Sequence, residues 1–389
     1  MFLSQMPKIL FVQAGSGFRN PNKHLLSHLK ELYPKHEIEV IDVLELVKRN
    51  YLVMAINGFH MLYEYFFDLI TRRKSLRKYK AHLLGTNYLF SVFSRIIQRK
   101  IENEDYHFIL QTQCLCNPSN IKGIPYFIYT DHTNLNNLNY SHIKQTEYLH
   151  SDSYIKLEKQ AYENATLIFV MSPNIKESLV KQYFIDEHRI KLVYVGTNTR
   201  SPDHVNLAKY QNKNILFVGK DWKRKGGPLL LEAFKLVQKQ IPEATLTILG
   251  CKPSIRVKNC FAYGVVSLQE VEKIYNQTTL FCMPTLREPF GIVFLEAMFN
   301  CLPVVTNNVG ATPYLIRNGF NGYIVDYTKD ALAKVLVSML NNPEKCLEMG
   351  NNAYTSVREN YTWENVSNLM NNYIKDSLPE PSTHSEVMK

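Results

Sequence analysis

The sequence predicts an α/β protein made of two doubly wound domains that face each other across a cleft. Three observations carry this. Short apolar runs alternate with longer amphipathic stretches along the chain. One polar segment near the middle interrupts the rhythm. The composition is globular: 389 residues, 45% hydrophobic and 21% charged, enough for two domains that each bury a core.

In the first half, residues 9–12, 38–41, 108–110, 126–129, 167–171 and 191–195 read as strands. They are short, β-branched or aromatic, and bounded by polar or turn residues. Helical patterns lie between them at 23–32, 154–163 and 174–183. In the second half, strands are expected at 215–218, 246–249, 280–283, 303–306 and 322–325. Helices are expected at 229–239, 268–277, 292–299, 329–340 and 343–357. Such alternation implies parallel sheets with helices on both faces. The break at 196–213, GTNTRSPDHVNLAKYQNK, reads as an interdomain linker. The polar end, with two prolines, reads as a disordered tail. In doubly wound sheets ligands bind beyond the carboxyl ends of the strands, so the cleft is the expected site.

Lys and Arg number 45 against 35 Asp and Glu, a net charge of +10. This favours a polyanionic partner such as an anionic lipid surface or a phosphorylated small molecule. No nucleic-acid module is visible. The seven cysteines are scattered, with no Cys-x-x-Cys pair, and read as reduced thiols of a cytoplasmic protein. No secretion leader and no membrane-spanning run are expected.

The stretch from 284 to 322, PTLREPFGIVFLEAMFNCLPVVTNNVGATPYLIRNGFNG, is the most informative. A strand ends, a loop carries Glu288, and a helix begins near Gly291 and carries Glu296. Gly291 permits close backbone approach, and the free amides at the helix start favour an anion. Glu296 lies past the first turn of an otherwise apolar helix, where a carboxylate is costly without hydrogen bonds. Alone, the pair also fits an exposed helix-face residue and a helix-start acid. Upstream, Lys220, Lys223, Arg224 and Lys225 crowd the loop after a strand.

Together these segments resemble the retaining glycosyltransferases of family 4, which have the GT-B fold. The match runs through EPFGIVFLEAM, LPVV, VGATPYLI and NGFNGYIV, and through ILFVGKDWKRKGG at 215–227. The resemblance implies that Glu288 lies by the donor sugar and that Glu296 binds ribose hydroxyls of a nucleotide-sugar. It also implies that amides at Phe290, Gly291 and Ile292 contact the sugar and diphosphate, and that Lys220 and Lys225 contact the diphosphate. At the first of those lysines the family usually has Arg, which offers a fork that Lys lacks. The loop with Gly15 and Gly17 would lie over the phosphates, and His132 would face the sugar from the other domain, although Asp131 competes for that register. Glu288, His132 and Lys225 are the catalytic candidates. No Asp-x-Asp occurs, and the two histidines His24 and His28 make a poor metal site, so neither metal nor cofactor is expected beyond the nucleotide-sugar co-substrate.

On this resemblance, residues 1–197 form the acceptor-binding domain, 198–213 the linker and 214–358 the nucleotide-sugar domain. A helix at 359–376 returns to the first domain, and 377–389 is the tail. The acceptor would be a sugar, lipid-linked or polysaccharide hydroxyl, in lipopolysaccharide, exopolysaccharide or glycolipid synthesis. A GT-B nucleotide-sugar epimerase and a non-catalytic scaffold are the alternatives. Residues 1–80 hold 13 basic and 7 acidic side chains. The aromatic stretch from Tyr51, followed by Arg72, Arg73, Lys74, Arg77 and Lys78, suits an anionic membrane surface. It equally suits a buried helix followed by a solvated basic loop.

Overall fold

The computed structural model describes residues 6–15, 18–66, 80–118, 123–141, 149–202 and 204–378. The first sheet contains β1 (Lys8–Gln13), β2 (Glu37–Asp42), β3 (Phe108–Thr112), β4 (Tyr126–Thr130), β5 (Leu167–Val170) and β6 (Ile190–Leu192). The second contains β7 (Asn214–Val218), β8 (Thr245–Leu249), β9 (Cys260–Gly264), β10 (Leu280–Cys282), β11 (Val304–Asn307) and β12 (Gly322–Val325). All pairings between these strands are parallel. The orders are β2-β1-β3-β4-β5-β6 and β12-β11-β10-β7-β8-β9. These are the two doubly wound parallel sheets that the alternation implies.

The helices of the first half are α1 (Arg19–Leu32), α2 (Val43–Lys48), α3 (Tyr51–Glu64), α4 (Asn87–Asn103), α5 (Asp152–Asn164) and α6 (Pro173–Lys181). Those of the second are α7 (Gly227–Gln240), α8 (Leu268–Tyr275), α9 (Ile292–Phe299), α10 (Thr312–Leu315), α11 (Lys329–Leu340), α12 (Pro343–Asn360) and α13 (Trp363–Ser377). Strands β3, β4 and β5 are buried throughout, as expected where helices cover both faces. The edge strand β9 alternates exposed and covered residues. Its weak apolar signal leaves it out of a sequence reading.

The chain crosses between domains twice. The segment at 196–213 is packed rather than free: Lys209 and Tyr210 are buried, and both bond carbonyls behind α9, Lys209 to Asn300 and Tyr210 to Cys301, at 2.7 Å each. The last helix, α13, lies on α1, where the Trp363 indole stacks on His24 at 5.3 Å. The Tyr361 carbonyl accepts from the Thr197 amide at 2.9 Å, so outgoing and returning strands of chain run side by side. One apolar cluster extends from Ile9 in β1 through Leu216 in β7 to Ile374 in α13.

Helix α3 is not the buried helix that its apolar sequence allows. Only Asn57 is buried, while Tyr51, Leu52, Phe59 and Tyr63 are each 70% or more exposed. The basic run with Arg72, Arg73, Lys74, Arg77 and Lys78 lies outside the described residues, as does Gly17.

Candidate active site

In each sheet the winding reverses once. In the second sheet it reverses between β7 and β10, because β8 and β9 lie on one side of β7 while β10 and β11 lie on the other. A crevice opens at such a switch point, beyond the strand ends. The loop after β7 delivers Lys225 there and the loop after β10 delivers Glu288. The Lys225 ammonium donates to Glu288 Oε2, and both side chains are about nine-tenths buried, at 11% and 8% exposed. Arg224 lies second to this carboxylate at 4.0 Å and donates to the Arg287 carbonyl at 2.6 Å. The Leu286 amide and Thr285 hydroxyl both donate to the Arg224 carbonyl. The two loops are thus stitched together through their backbones. A buried pair of this kind holds its partners because an isolated charge there is strongly disfavoured.

The backbone at Glu288 depends on two glycines. Gly291 precedes α9 with φ of +93°, and Gly310 has φ of +55°. A Cβ at Gly310 would lie 1.8 Å from the Glu288 carbonyl oxygen, and one at Gly291 would lie 2.5 Å from the Phe294 ring. Neither position accepts a side chain without moving the loop. Phe290 is buried. Ile292 opens α9, whose unbonded first amides and dipole favour an anion.

Glu296 stands one turn into α9 and accepts a 3.1 Å hydrogen bond from Asn198 Nδ2. The residue as a whole is partly exposed, yet protein surrounds the carboxyl. Burial pushes it up to about 7, and the Asn198 amide and Lys225 charge only partly offset this. Asn198 Oδ1 is itself buried without a partner. Asn198 went unrecognised in the sequence because it sits in the polar joining segment, with no motif around it.

The first domain presents Asp131 and His132 from the end of β4. Burial raises the Asp131 carboxyl despite a 3.0 Å hydrogen bond from Gln113 Nε2, and the Glu288 charge raises it further. Gln113 holds the left-handed region at φ of +64°, a strained conformation of the sort found at functional sites. Burial, then the Arg287 charge, pushes the His132 imidazole down to about 3. Its Nε2 accepts from Asn137 Nδ2 at 3.3 Å. The proton of the neutral ring then resides on Nδ1, which is buried with no partner. Asn137 also accepts from Arg287 Nε at 2.9 Å. Both Asn137 and Arg287 lay unmarked in the sequence, the first in LNNLN and the second just before the motif glutamate.

The structure therefore brings Lys225, Glu288 and Glu296 together, with Gly291 and Ile292 alongside, and sets Asp131 and His132 near them electrostatically. Lys220 is exposed at the end of β7. Gly15 lies at the end of β1, and its amide already donates to the Asp42 carboxylate at 3.0 Å. Among the described residues, no group of three His, Cys, Asp or Glu could hold a metal ion, and all seven cysteines carry free thiols.

The family model for glycosyl transferases group 1 matches residues 199–356. An uncharacterized glycosyltransferase of Methanocaldococcus jannaschii is 26% identical over 254 residues, 59% of this chain and 64% of that protein. A capsular polysaccharide biosynthesis glycosyltransferase of Staphylococcus aureus is 25% identical over 255 residues, 57% of this chain and 65% of that protein. In both, the match spans less than two thirds of the relative's length. Among solved structures, sucrose-phosphate synthase of Thermosynechococcus elongatus superposes with a TM-score of 0.65 at 15% identity, over 95% of this chain and 98% of that one. Anabaena HepE in complex with UDP gives 0.63 at 13% identity, over 95% and 100%. The family match at 199–356 spans the whole second sheet, and the two sheets together have the GT-B fold.

Proposed function

We propose that the chain is a retaining glycosyltransferase that moves a sugar from a nucleotide-sugar to an acceptor hydroxyl. The observation that carries this is the Lys225–Glu288 pair at the switch point of the second sheet, with Glu296 one turn into the adjoining helix. In the reaction, the bond between the anomeric carbon and the diphosphate oxygen breaks. The acceptor oxygen bonds to the same face of that carbon, and its proton passes to the departing diphosphate. Negative charge grows on the leaving group. Lys225, Lys220 and the amides at Phe290–Ile292 provide fixed positive countercharge there, in a site needing no reorganisation. Glu296 accepts from the ribose hydroxyls, and His132 Nδ1 donates to a sugar hydroxyl.

A relative named for capsular polysaccharide biosynthesis supports a role in glycan assembly. Neighbours solved with UDP-glucose or with UDP and GlcNAc support a nucleotide-sugar donor. No divalent ion is needed in this scheme, because cations of the 220–225 loop face the diphosphate. The protein would act in the cytoplasm, at the membrane surface, with the exposed face of α3 toward the lipid.

The test is calorimetric titration with UDP-, GDP- and dTDP-sugars, followed by product analysis with acceptor pools. Transfer with retained anomeric configuration is expected. Interconversion of two nucleotide-sugars without acceptor would favour the epimerase, and no nucleotide-sugar binding would leave only a scaffold.

A further inference from the structure

Lys209 is a fully buried lysine, at 0% exposed. It lies in the short turn Leu207–Gln211 of the joining segment, just before β7. Its ammonium donates to the Asn300 carbonyl at 2.7 Å and stands 5.3 Å from the centroid of the Tyr210 ring. A carbonyl and a ring face are modest compensation for a buried charge, which is costly unless well partnered. A methionine would fill the same space without that cost. The position therefore calls for a role that needs a charge.

Asn300 identifies the role. It caps the C-terminal end of α9, the helix that carries Glu296. Its Nδ2 donates to the Glu296 carbonyl at 2.8 Å. The next residue, Cys301, takes the left-handed region at φ of +56°, and its carbonyl accepts from the Tyr210 hydroxyl at 2.7 Å. A Cβ at Gly350 of α12 would lie 2.3 Å from that same carbonyl oxygen, so the helix end has no room to shift toward α12. A cation at a helix C-terminus also complements the dipole. At the other end of the joining segment, Asn198 holds the Glu296 carboxyl itself. The segment thus grips α9 twice, once at the carboxyl and once at the helix end. Because α9 has eight residues, about 12 Å of rise, a tilt at its pinned end would move both Glu296 and the first amides.

We infer that Lys209 is a positioning residue for the donor site: its charge holds the C-terminal end of α9, and with it Glu296 and the helix-start amides, in place for a nucleoside diphosphate. The inference rests on the glycosyltransferase reading and adds a residue that lies outside every motif of the chain.

Burial pulls the Lys209 ammonium down to about 8, against the opposing effect of Cys301. The titratable groups around it are the Tyr210 hydroxyl on its own turn, the Cys301 thiol beyond α9 and the Cys346 thiol of α12. Burial raises all three, so they stay neutral as Lys209 titrates. Glu296, on the far side of Asn300, titrates near 7 and is ionised over this range. The sign is then defined. The folded value lies below the ordinary 10.5, so between the two the unfolded chain binds the extra proton. The cost of burying this charge is full below about 8 and disappears toward 10.5, so this contribution to stability improves with pH. Nucleotide affinity should move the other way.

The test titrates the full chain with UDP and with GDP, which share a ribose and a diphosphate, between pH 7.5 and 10. Wild type and Lys209→Met are compared at each pH, so that the titration of the ligand and of other groups cancels. At pH 7.5 the wild type should bind about fivefold tighter or more, and the ratio should shrink toward one at pH 10 as its charge is lost. Lys209→Met should lose no thermal stability, which separates positioning from support of the fold. Lys209→Arg, which keeps a charge, should retain binding across the range. Deuterium exchange without nucleotide reads the grip by itself: the amides of 296–302 should exchange faster in Lys209→Met. Equal affinity of wild type and Lys209→Met at pH 7.5, or a ratio that stays constant to pH 10, would overturn the inference. If Lys209→Met does not fold, the comparison passes to wild type and Lys209→Arg, whose affinities should diverge above pH 8; parallel profiles would overturn it. Failure of both nucleotides to bind the wild type, with exchange still faster in Lys209→Met, would remove the transferase reading and leave Lys209 as the clamp of α9.

Discussion

Across the cleft, Arg287 Nε donates a 2.9 Å hydrogen bond to Asn137 Oδ1. The donor residue belongs to the loop of Glu288 and the acceptor to the loop of His132. The guanidinium also stands 5.8 Å from the Tyr140 ring centroid, within reach of a cation–π attraction. One arginine thus registers the two halves of the candidate site against each other. Arg287→Ala should lower turnover more than donor affinity. A double-mutant cycle with Asn137→Ala should give a coupling of about 0.5–3 kcal/mol in the activation free energy, the range for residues in direct contact. Strictly additive losses would show that the contact is incidental to catalysis.

Glu296 gives a pH prediction with a defined sign. Burial raises its carboxyl to about 7, so it is largely protonated below that pH. Ribose hydroxyls donate best to the ionised form. Affinity for UDP-glucose should therefore rise as pH increases from 6 to 8, by about tenfold in all as the ionised fraction grows. Glu296→Gln should flatten the profile and weaken binding by roughly 1.5–3 kcal/mol. A wild-type dissociation constant independent of pH over this window would remove Glu296 from the donor contact.

How much of this was legible beforehand differs by kind of feature. Helices 292–299 and 329–340 end where their periodicity and flanking turns place them, because burial and local propensity agree there. The motif residues were visible because one loop and one helix carry them in consecutive positions. Arg287, Asn137 and Asn198 were not, since their roles arise from contacts between residues 98 and 150 positions apart, and an isolated Asn carries no periodic signal. The face of α3 was left between two readings for another reason: apolar content fits both burial and a surface contact, and only packing reveals which side has a partner.

Lys225 and Glu288 form a buried ion pair, so truncating either leaves a stranded charge. Lys225→Ala should destabilise the fold by about 3–5 kcal/mol as well as abolish transfer. Lys225→Met combined with Glu288→Gln removes both charges and should recover much of the stability, with activity still lost. Denaturation midpoints and turnover, read on the same samples, separate the two effects. In the wild type, transfer should persist in excess EDTA. Loss on chelation, restored by a divalent ion, would assign the countercharge to a metal instead.

Glu158, in α5, supports the His132 loop from behind. Its carboxylate accepts from the Tyr183 and Tyr162 hydroxyls and weakly from the Asn134 amide. Burial nevertheless raises it to about 7. The folded state therefore holds a proton that the unfolded chain releases near 4.5. This contribution to stability is complete below that value and is lost as pH rises through about 7. The difference in unfolding free energy between wild type and Glu158→Gln should shift against the wild type by roughly 3 kcal/mol from pH 4.5 to 8. A constant difference across that range would show that the carboxyl is ionised in the folded protein.

The exposed face of α3 gives the last prediction. Tyr51, Leu52, Phe59 and Tyr63 face solvent on one helix, and the sequence beyond it carries Arg72, Arg73, Lys74, Arg77 and Lys78. Among the described residues no helix is long and apolar enough to cross a membrane. Aromatic insertion and basic attraction act together at an anionic surface, and each basic residue there is worth about 1 kcal/mol, screened by salt. The wild type should sediment with phosphatidylglycerol vesicles at low salt and less so at high salt. Replacing the five basic residues by Ser should remove the salt-sensitive part. Replacing Leu52, Phe59 and Tyr63 by Ser should remove the remainder. Transfer to a short soluble acceptor should survive both sets, because neither touches the 225–296 site. A wild type that stays in the supernatant at low salt would show that this face meets something other than lipid, and the acceptor would then be sought among soluble glycans.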